Sequence, residues 1–573
     1  MKVGTILVGL MVGLSPWLAW AEPTVEVPRA LLWDQDDRLL VGTLRSIVVV
    51  DSADWTIRER WPVPAGVVSL AELADSLVAG TTDGRAVVFA PSGRLLRTVE
   101  IGRGPVGVVA VTDQRFAAAC RWDECVRIVD GPSGAVVADH PLSFAPGAMV
   151  ARPDGRLIVA DTFGPNLVDL VPGRLGTERH RTLDGFQLHA LAVAPGGREL
   201  LVGHQEQYQP MPVTSTNIDW GLVLSSRLSA VRLPEFDREA PAGSPLPRRR
   251  LGLDGSRHGA ADPSALAVSA DGRFLLVALA GAHQVLKSDR GRSTTDPRGE
   301  EPPLGDSQRL QTVEVGQSPV ALVIDPTGTR FVTADAMSDT LSVVHLSDLT
   351  VQATVVLGDG SAAGTAEQRG EALFRDGRRS LDRWMSCSSC HTEGHTCGLN
   401  FDTLGDGSYG AAKNTPSLLG VGRTPPYTWT GRFDRLKDQV HQSLRTSLRG
   451  PAPSAEEVDD LVAYLSSLQP PPPRRSPDAS VDRGALLFRQ YRCDRCHPGP
   501  TFTVSGARDP ELGGVPGLES YNPPSLRGIS RSAPYLHDGR ARSLADVLAV
   551  HHPGSSPLAP RDLTDLIAFL ESL

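Results

Sequence analysis

Past its first twenty residues the chain has no long apolar run, no block of basic residues and, beyond Met385, no methionine. Without an apolar stretch of about 20 residues there is no further membrane-spanning helix to consider. The 57 Lys and Arg are outnumbered by 66 Asp and Glu, giving a net charge of −9 with the two signs interspersed. That balance excludes nucleic acid as a partner. Cysteine numbers only seven, and four of these form two Cys-x-x-Cys pairs each followed by His. A disulfide framework, the usual reading for an exported chain, therefore does not account for most of them.

The N-terminus explains why export is expected. Met1 and Lys2 precede an apolar run that Pro16 interrupts, and Ala19-Trp20-Ala21 supplies the small-x-small pattern of a cleavage site. Residues 1–21 read as a signal peptide, cleaved after Ala21, which places the mature protein in the periplasm. At 573 residues the chain exceeds one core, so two or three domains follow.

Residues 22–358 repeat one pattern: an apolar run, an Asp-Gly or Pro-Gly turn, and a second apolar run. It is plainest at Pro146 to Asp161, His189 to Gly203, Pro263 to Ala278 and Pro319 to Asp335. Seven copies at roughly 40-residue spacing predict a seven-bladed all-β propeller of four-stranded blades. Val126-Arg127-Ile128-Val129-Asp130 before a Gly-rich turn resembles the YVTN-type propellers. Residues 204–261 interrupt the fifth copy, and their Gly, Pro and Arg content predicts an inserted loop. Cys120 and Cys125 flank a short segment between two strand-like runs and are placed to close a hairpin.

Helical texture begins after Gly358 and contains a second repeat. Asn414 to Gly420, Pro426-Tyr427 and Gly431-Arg432 return 108 positions on as Asn522 to Gly528, Pro534-Tyr535 and Gly539-Arg540. The opening and closing helices return too, as Gly370 to Phe374 against Gly484 to Phe488 and Asp460 to Leu465 against Asp565 to Leu570. Two tandem all-α cytochrome c domains are expected, 365–469 and 478–573, joined by a Pro-rich linker, 470–477, that is stiff and extended.

Each domain opens on Cys-x-x-Cys-His, the attachment pattern of haem c: two thiols for the vinyl groups and a proximal iron ligand. Cys387, Cys390 and His391 form the first site; Cys493, Cys496 and His497 form the second. Zinc would require the two pairs to converge, whereas each pair heads its own copy of the repeat. The missing methionines now matter, because neither haem has the downstream Met ligand of small electron carriers. Leu544, Val547, Leu548 and His551 share one helical stripe, which makes His551 the candidate sixth ligand of the second haem, with a buried structural histidine as the alternative. Cys397 remains as a thiol near the first haem, and His395 belongs to the proximal segment.

Residues 365–573 resemble the bacterial dihaem cytochrome c peroxidase and MauG superfamily, on Pro534-Tyr535-Leu536-His537-Asp538-Gly539. In that family the second haem takes its sixth ligand fourteen residues after this His, as Met or Tyr; here that position is His551. In the first repeat Trp429 replaces the His and Ser443 matches His551. His441, two residues from Ser443, is turned away by about 200° and is the fallback distal ligand of the first haem. The resemblance implies hydrogen peroxide chemistry at the first haem, electrons relayed by the second, and calcium held by carbonyls at Ser532 and Pro534. Trp384 and Trp429 are candidate relay residues, or ordinary core. A redox protein donor, or a protein substrate as in MauG, is the expected partner, with the propeller as its platform. The rival readings are a non-enzymatic dihaem electron-transfer module and a propeller with its own small-molecule site.

Overall fold

The computed structural model describes residues 25–573 except 256–257, 292–302, 359–363, 406, 408, 475, 505, 507–519 and 552–557. The signal-peptide expectation therefore lies outside the described residues. Among them no helix is long and apolar enough to cross a membrane.

Alternating side chains make each propeller strand apolar toward its neighbouring blades, and the strands form seven antiparallel sheets over 30–62, 67–100, 105–141, 146–182, 186–252, 263–314 and 319–356. Apolar side chains fill the space between adjacent sheets, as where Val41 and Val48 of the first blade meet Val332 and Leu341 of the seventh. The strands of each blade follow one another along the chain, except that Ser244–Pro245, between the third and fourth strands of the fifth blade, adds in parallel to the last strand of the fourth. The ring closes by the packing between blades and by the segment before the first strand. There the backbone N–H groups of Glu26 and Val27 donate to Asp339 of the last blade, the latter at 3.0 Å.

The stretch 204–261 is not simply a loop. Ser225–Arg232 and Arg249–Gly252 are the third and fourth strands of the fifth blade. The third strand carries Ser225, Ser226 and Ser229 buried, and two of these hydroxyls find partners: Ser229 Oγ meets His204 Nε2 at 2.8 Å and Ser225 Oγ donates to Gly221 O at 2.7 Å, while Ser226 Oγ has none among the described residues. A satisfied hydroxyl is tolerated in a core. Two excursions remain, 207–224 and 233–248, and the first reaches the first helical domain through Val213 N–H to Asp402 O at 2.9 Å. Cys120 and Cys125 do face each other across a hairpin ladder, both buried and both free thiols.

The two helical domains are copies in three dimensions. In the first, α1 (Ala366–Arg375) crosses α3 (Ala455–Ser467), with α2 (Leu436–Thr446) beside them; in the second, α4 (Asp478–Gln490) crosses α5 (Pro560–Glu571). Both crossings pass through a glycine, because a Cβ on Gly370 or Gly484 would lie 2.0 Å from the Asp460 or Asp565 carbonyl. Each is clamped by an ion pair, Arg369–Asp460 and Arg483–Asp565, and by an aromatic pair at 5.2 Å, Phe374–Tyr464 and Phe488–Phe569. Burying Phe374 contributes about 1.5–3 kcal/mol. The proline linker runs between the domains against Gly420 and Gly528, and Arg103 and Arg531 hold its carbonyls at Pro473 and Pro472.

Candidate haem centres

A cavity of about 830 Å³ extends through both helical domains. Cys387, Cys390 and His391 line one half with Phe374, Leu418 and Trp429; Cys493, Cys496 and His497 line the other with Phe488, Tyr521 and Leu548. The cysteines and histidines of each motif are thus brought together on an apolar chamber. Both rings are oriented the same way: His391 Nδ1 donates to Pro416 O and His497 Nδ1 to Phe502 O, each at 3.1 Å. Anchoring Nδ1 on a carbonyl fixes the tautomer and makes Nε2 the ligand nitrogen. Burial pushes His391 down to about 4, keeping it neutral, as a metal ligand must be. These residues fit two covalently held haems.

The halves differ where the sequence differs. On α2, Gln439, Val440 and Ser443 line the first half, and Gln439 Nε2 donates to Ser443 Oγ at 2.9 Å. The Gln439 carbonyl oxygen is buried with no hydrogen-bond partner among the described residues. Sequence reasoning passed over Gln439, although it occupies the stripe position that Val547 holds in the second repeat; a polar residue where the second repeat has an apolar one was the available signal. His441 is exposed and does not line the cavity, so the fallback distal ligand is withdrawn: two residues along a helix carry it to the outer face.

In the second half Leu544, Val547 and Leu548 face the cavity as the stripe requires. The segment is α-helical only over Leu544–Asp546 and continues as a π turn, Val547–His551, which corrects the single α-helix assumed for the stripe. Such turns recur at functional sites because the extra residue per turn redirects side chains. The side chain of His551 lies outside the described residues. His537 is buried, stacked on Tyr521 at 4.3 Å, and its Nδ1 has no hydrogen-bond partner among the described residues.

Between the halves the repeats exchange matching hydrogen bonds. Asn414 N–H donates to His537 O at 2.7 Å and its amide to Pro534 O at 2.6 Å; Asn522 N–H donates to Trp429 O at 2.8 Å and its amide to Pro426 O at 2.5 Å. Trp429 also donates Nε1 to Asn414 O at 2.7 Å, which puts its indole on the shared wall. Trp384 is placed differently: it is buried against Gly221 of the propeller and lines no part of the cavity. Ser532 and Pro534 do lie on the wall, beside a partnerless buried Asn414 Oδ1. The same orphan recurs at Asn522 Oδ1, so it follows from the repeat and does not by itself mark a cation. Cys397 is packing: its Sγ lies 3.9 Å from Thr415 Oγ1, and burial pushes the thiol up to about 11.

The propeller seats the first motif. Gln187 Nε2 donates to Ser388 O at 2.6 Å and to Ser389 O at 3.2 Å; Ser386 and Ser389 hydroxyls donate to Asp262, both at 2.6 Å. Beside them Glu393 faces Arg121 of the propeller and Arg375 of α1, each at 3.8 Å. Burial opposes its charge, yet these cations hold Glu393 down at about 2.

Fold and site define a class: a seven-bladed propeller carrying two haem c attachment domains on one chain. Residues 365–469 match the family model described as di-haem cytochrome c peroxidase. Hydrazine synthase subunit gamma of Kuenenia stuttgartiensis is 29% identical over 270 residues, 36% of this chain and 76% of its own. Cytochrome c551 peroxidase of Pseudomonas aeruginosa is 22% identical over 302 residues, 42% and 87% of the two chains. The methylamine utilization protein MauG of Methylorubrum extorquens is 27% identical over 273 residues, 36% and 76%. The C-terminal part of the chain is thus similar to the dihaem cytochrome c peroxidases and MauG, with the family-model match covering residues 365–469, and it is joined here to a propeller.

Proposed function

We propose that the protein is an exported, periplasmic oxidoreductase that reduces hydrogen peroxide at its first haem with electrons passed from its second. The observation that carries this reading is the unequal lining of two otherwise matching half-cavities. The first offers Gln439 and Ser443, neither of them an iron ligand of choice, and so leaves the face across from His391 open to a small substrate. The second lines the Gln439 position with Val547, and His551, which holds the position of Ser443 in the repeat, is assigned in this proposal as its ligand. Bound haem would supply the redox-active iron in each half.

The chain's own residues do the rest. His391 is held by Pro416 O in the ligating tautomer. Gln439, tethered through its amide nitrogen, presents its unpartnered oxygen to accept a proton-bearing group of the substrate. Trp429, bonded to both repeats, spans the wall between the centres and is the better placed relay of the two tryptophans. Calcium at the carbonyls of Ser532 and Pro534 belongs to the same proposal; stripping with a chelator should then loosen the contact between the helical domains.

Electron paramagnetic resonance of the holoprotein, followed by peroxide with a reduced donor, tests the reading. The expected result is one high-spin and one low-spin haem, with peroxide consumed. Two low-spin haems that ignore peroxide would leave the electron-transfer module as the answer. His551→Ala should convert the low-spin signal to high-spin; an unchanged signal removes His551 as ligand.

A further inference from the structure

The internal repeat gives each surface of the first helical domain a counterpart on the second. On the first, the haem-attachment face is closed: Ser386 and Ser389 bind Asp262, Gln187 takes the carbonyls of Ser388 and Ser389, and Arg375 is set against Glu371 and Glu393. On the second, the matching positions are Arg492, Arg495, Asp494 and Arg489, and the place of Glu393 is taken by Gly499. The propeller does not cover them. Arg489, Arg492 and Arg495 are exposed, and among the described residues no carboxylate lies within ion-pairing distance of any of the three.

The patch has the make-up of an interface. Arg527 is exposed on its rim with its guanidinium 2.5 Å from Pro500 O. Leu486, 64% exposed, and Tyr491, 37% exposed, add apolar surface. Arginine and tyrosine are enriched in protein interfaces, whereas an exposed leucine beside them is unneeded for solubility. Tyr491, Arg492, Arg495 and Arg527 also line the mouth of the second half-cavity beside Cys493 and Cys496. Four arginines against Asp494 make this face, three of them at the mouth, cationic on a chain whose net charge is −9.

We infer that this face, the counterpart of the one the propeller occupies on the first domain, docks an acidic redox protein whose carboxylates surround a small apolar contact. The inference rests on the dihaem oxidoreductase reading for the direction of electron flow. Its charge preference does not. Opposite charge steers encounter and is screened beyond about 10 Å at 0.1 M salt, so binding should be strongly salt-dependent.

The test is equilibrium binding of the holoprotein to two forms of one probe: mitochondrial cytochrome c in its native lysine-rich state and after succinylation to net-negative charge. The succinylated form should bind, and its Kd should weaken about tenfold between low and physiological ionic strength. Replacing Arg489, Arg492 and Arg495 by Glu together should abolish binding, while the same change at the exposed propeller residues Arg94, Arg174 and Arg198 should not. Equal binding of the native form, or full binding by the Arg489/Arg492/Arg495 variant, overturns the inference. Peroxide turnover with a small-molecule donor is measured in parallel. If turnover is absent while charge-selective binding persists, the functional reading fails and the docking face stands; the reverse result condemns the docking face alone.

Discussion

Asp262→Ala would undo the seat between the propeller and the first haem motif. Asp262 is partly buried and accepts from Ser386 and Ser389, both at 2.6 Å, and from Gln205 at 3.3 Å. Truncation leaves these buried donors without an acceptor. Each such loss costs about 1–3 kcal/mol, but enclosing the carboxylate already costs something, since burial raises its pKa. Taking about 1 kcal/mol for each of the three bonds gives about 3 kcal/mol, or roughly a hundredfold in a local opening equilibrium. Hydrogen exchange of peptides covering 386–392 should therefore accelerate by about two orders of magnitude. Peptides covering 492–498 are the internal control, because among the described residues the second motif makes no such contact with the propeller. Equal acceleration in both, or none at 386–392, would refute the view that the propeller holds the first motif in place.

Gly370→Ala places a Cβ 2.0 Å from the Asp460 carbonyl; backbone must move, and thermal melts followed at the haem band should show the first domain destabilised by more than about 3 kcal/mol. Glu393 is held at about 2 against an ordinary 4.5. A depressed carboxylate adds stability that is present above its unfolded value and is lost as pH falls through the folded one. The melting temperature should thus fall between about pH 4.5 and pH 2, and Glu393→Gln should flatten that part of the profile; an identical profile in the variant would be the contrary result. Cys120 and Cys125 are ladder partners; with the export proposed above they should be joined when the protein is isolated without reductant, making it about 2 Da lighter than the reduced form, and full alkylation without reduction would show otherwise.

Much of this was legible from residues alone where the signal is local or repeated. Seven turn-and-strand copies announced the propeller, and the 108-residue offset announced paired haem domains, because duplicated structure keeps its glycines and prolines in register. The third strand of the fifth blade was illegible, since its buried serines, Ser225, Ser226 and Ser229, break the apolar pattern that marks the other strands. The seating of the first motif was illegible for a different reason. Gln187 and Asp262 lie roughly two hundred and one hundred and twenty-five positions from the serines they bind, and no periodicity links such distances. Gln439 lay between these cases: its place on the stripe was readable, but its meaning needed the cavity.

The exchange of bonds between Asn414 and Asn522 has a consequence for assembly. Each asparagine reaches across to the other repeat, so neither helical domain carries the partner for its own. The acceptors at Pro534 and His537 have their copies at Pro426 and Trp429, within the first domain itself. An isolated first domain would therefore present both sides of one self-complementary patch, and two such domains could meet about a two-fold axis with Asn414 of each on Pro426 of the other. The tandem pair is, in this sense, a homodimer interface written into a single chain, and fusion has since allowed its two halves to diverge: one sealed under the propeller, the other bare.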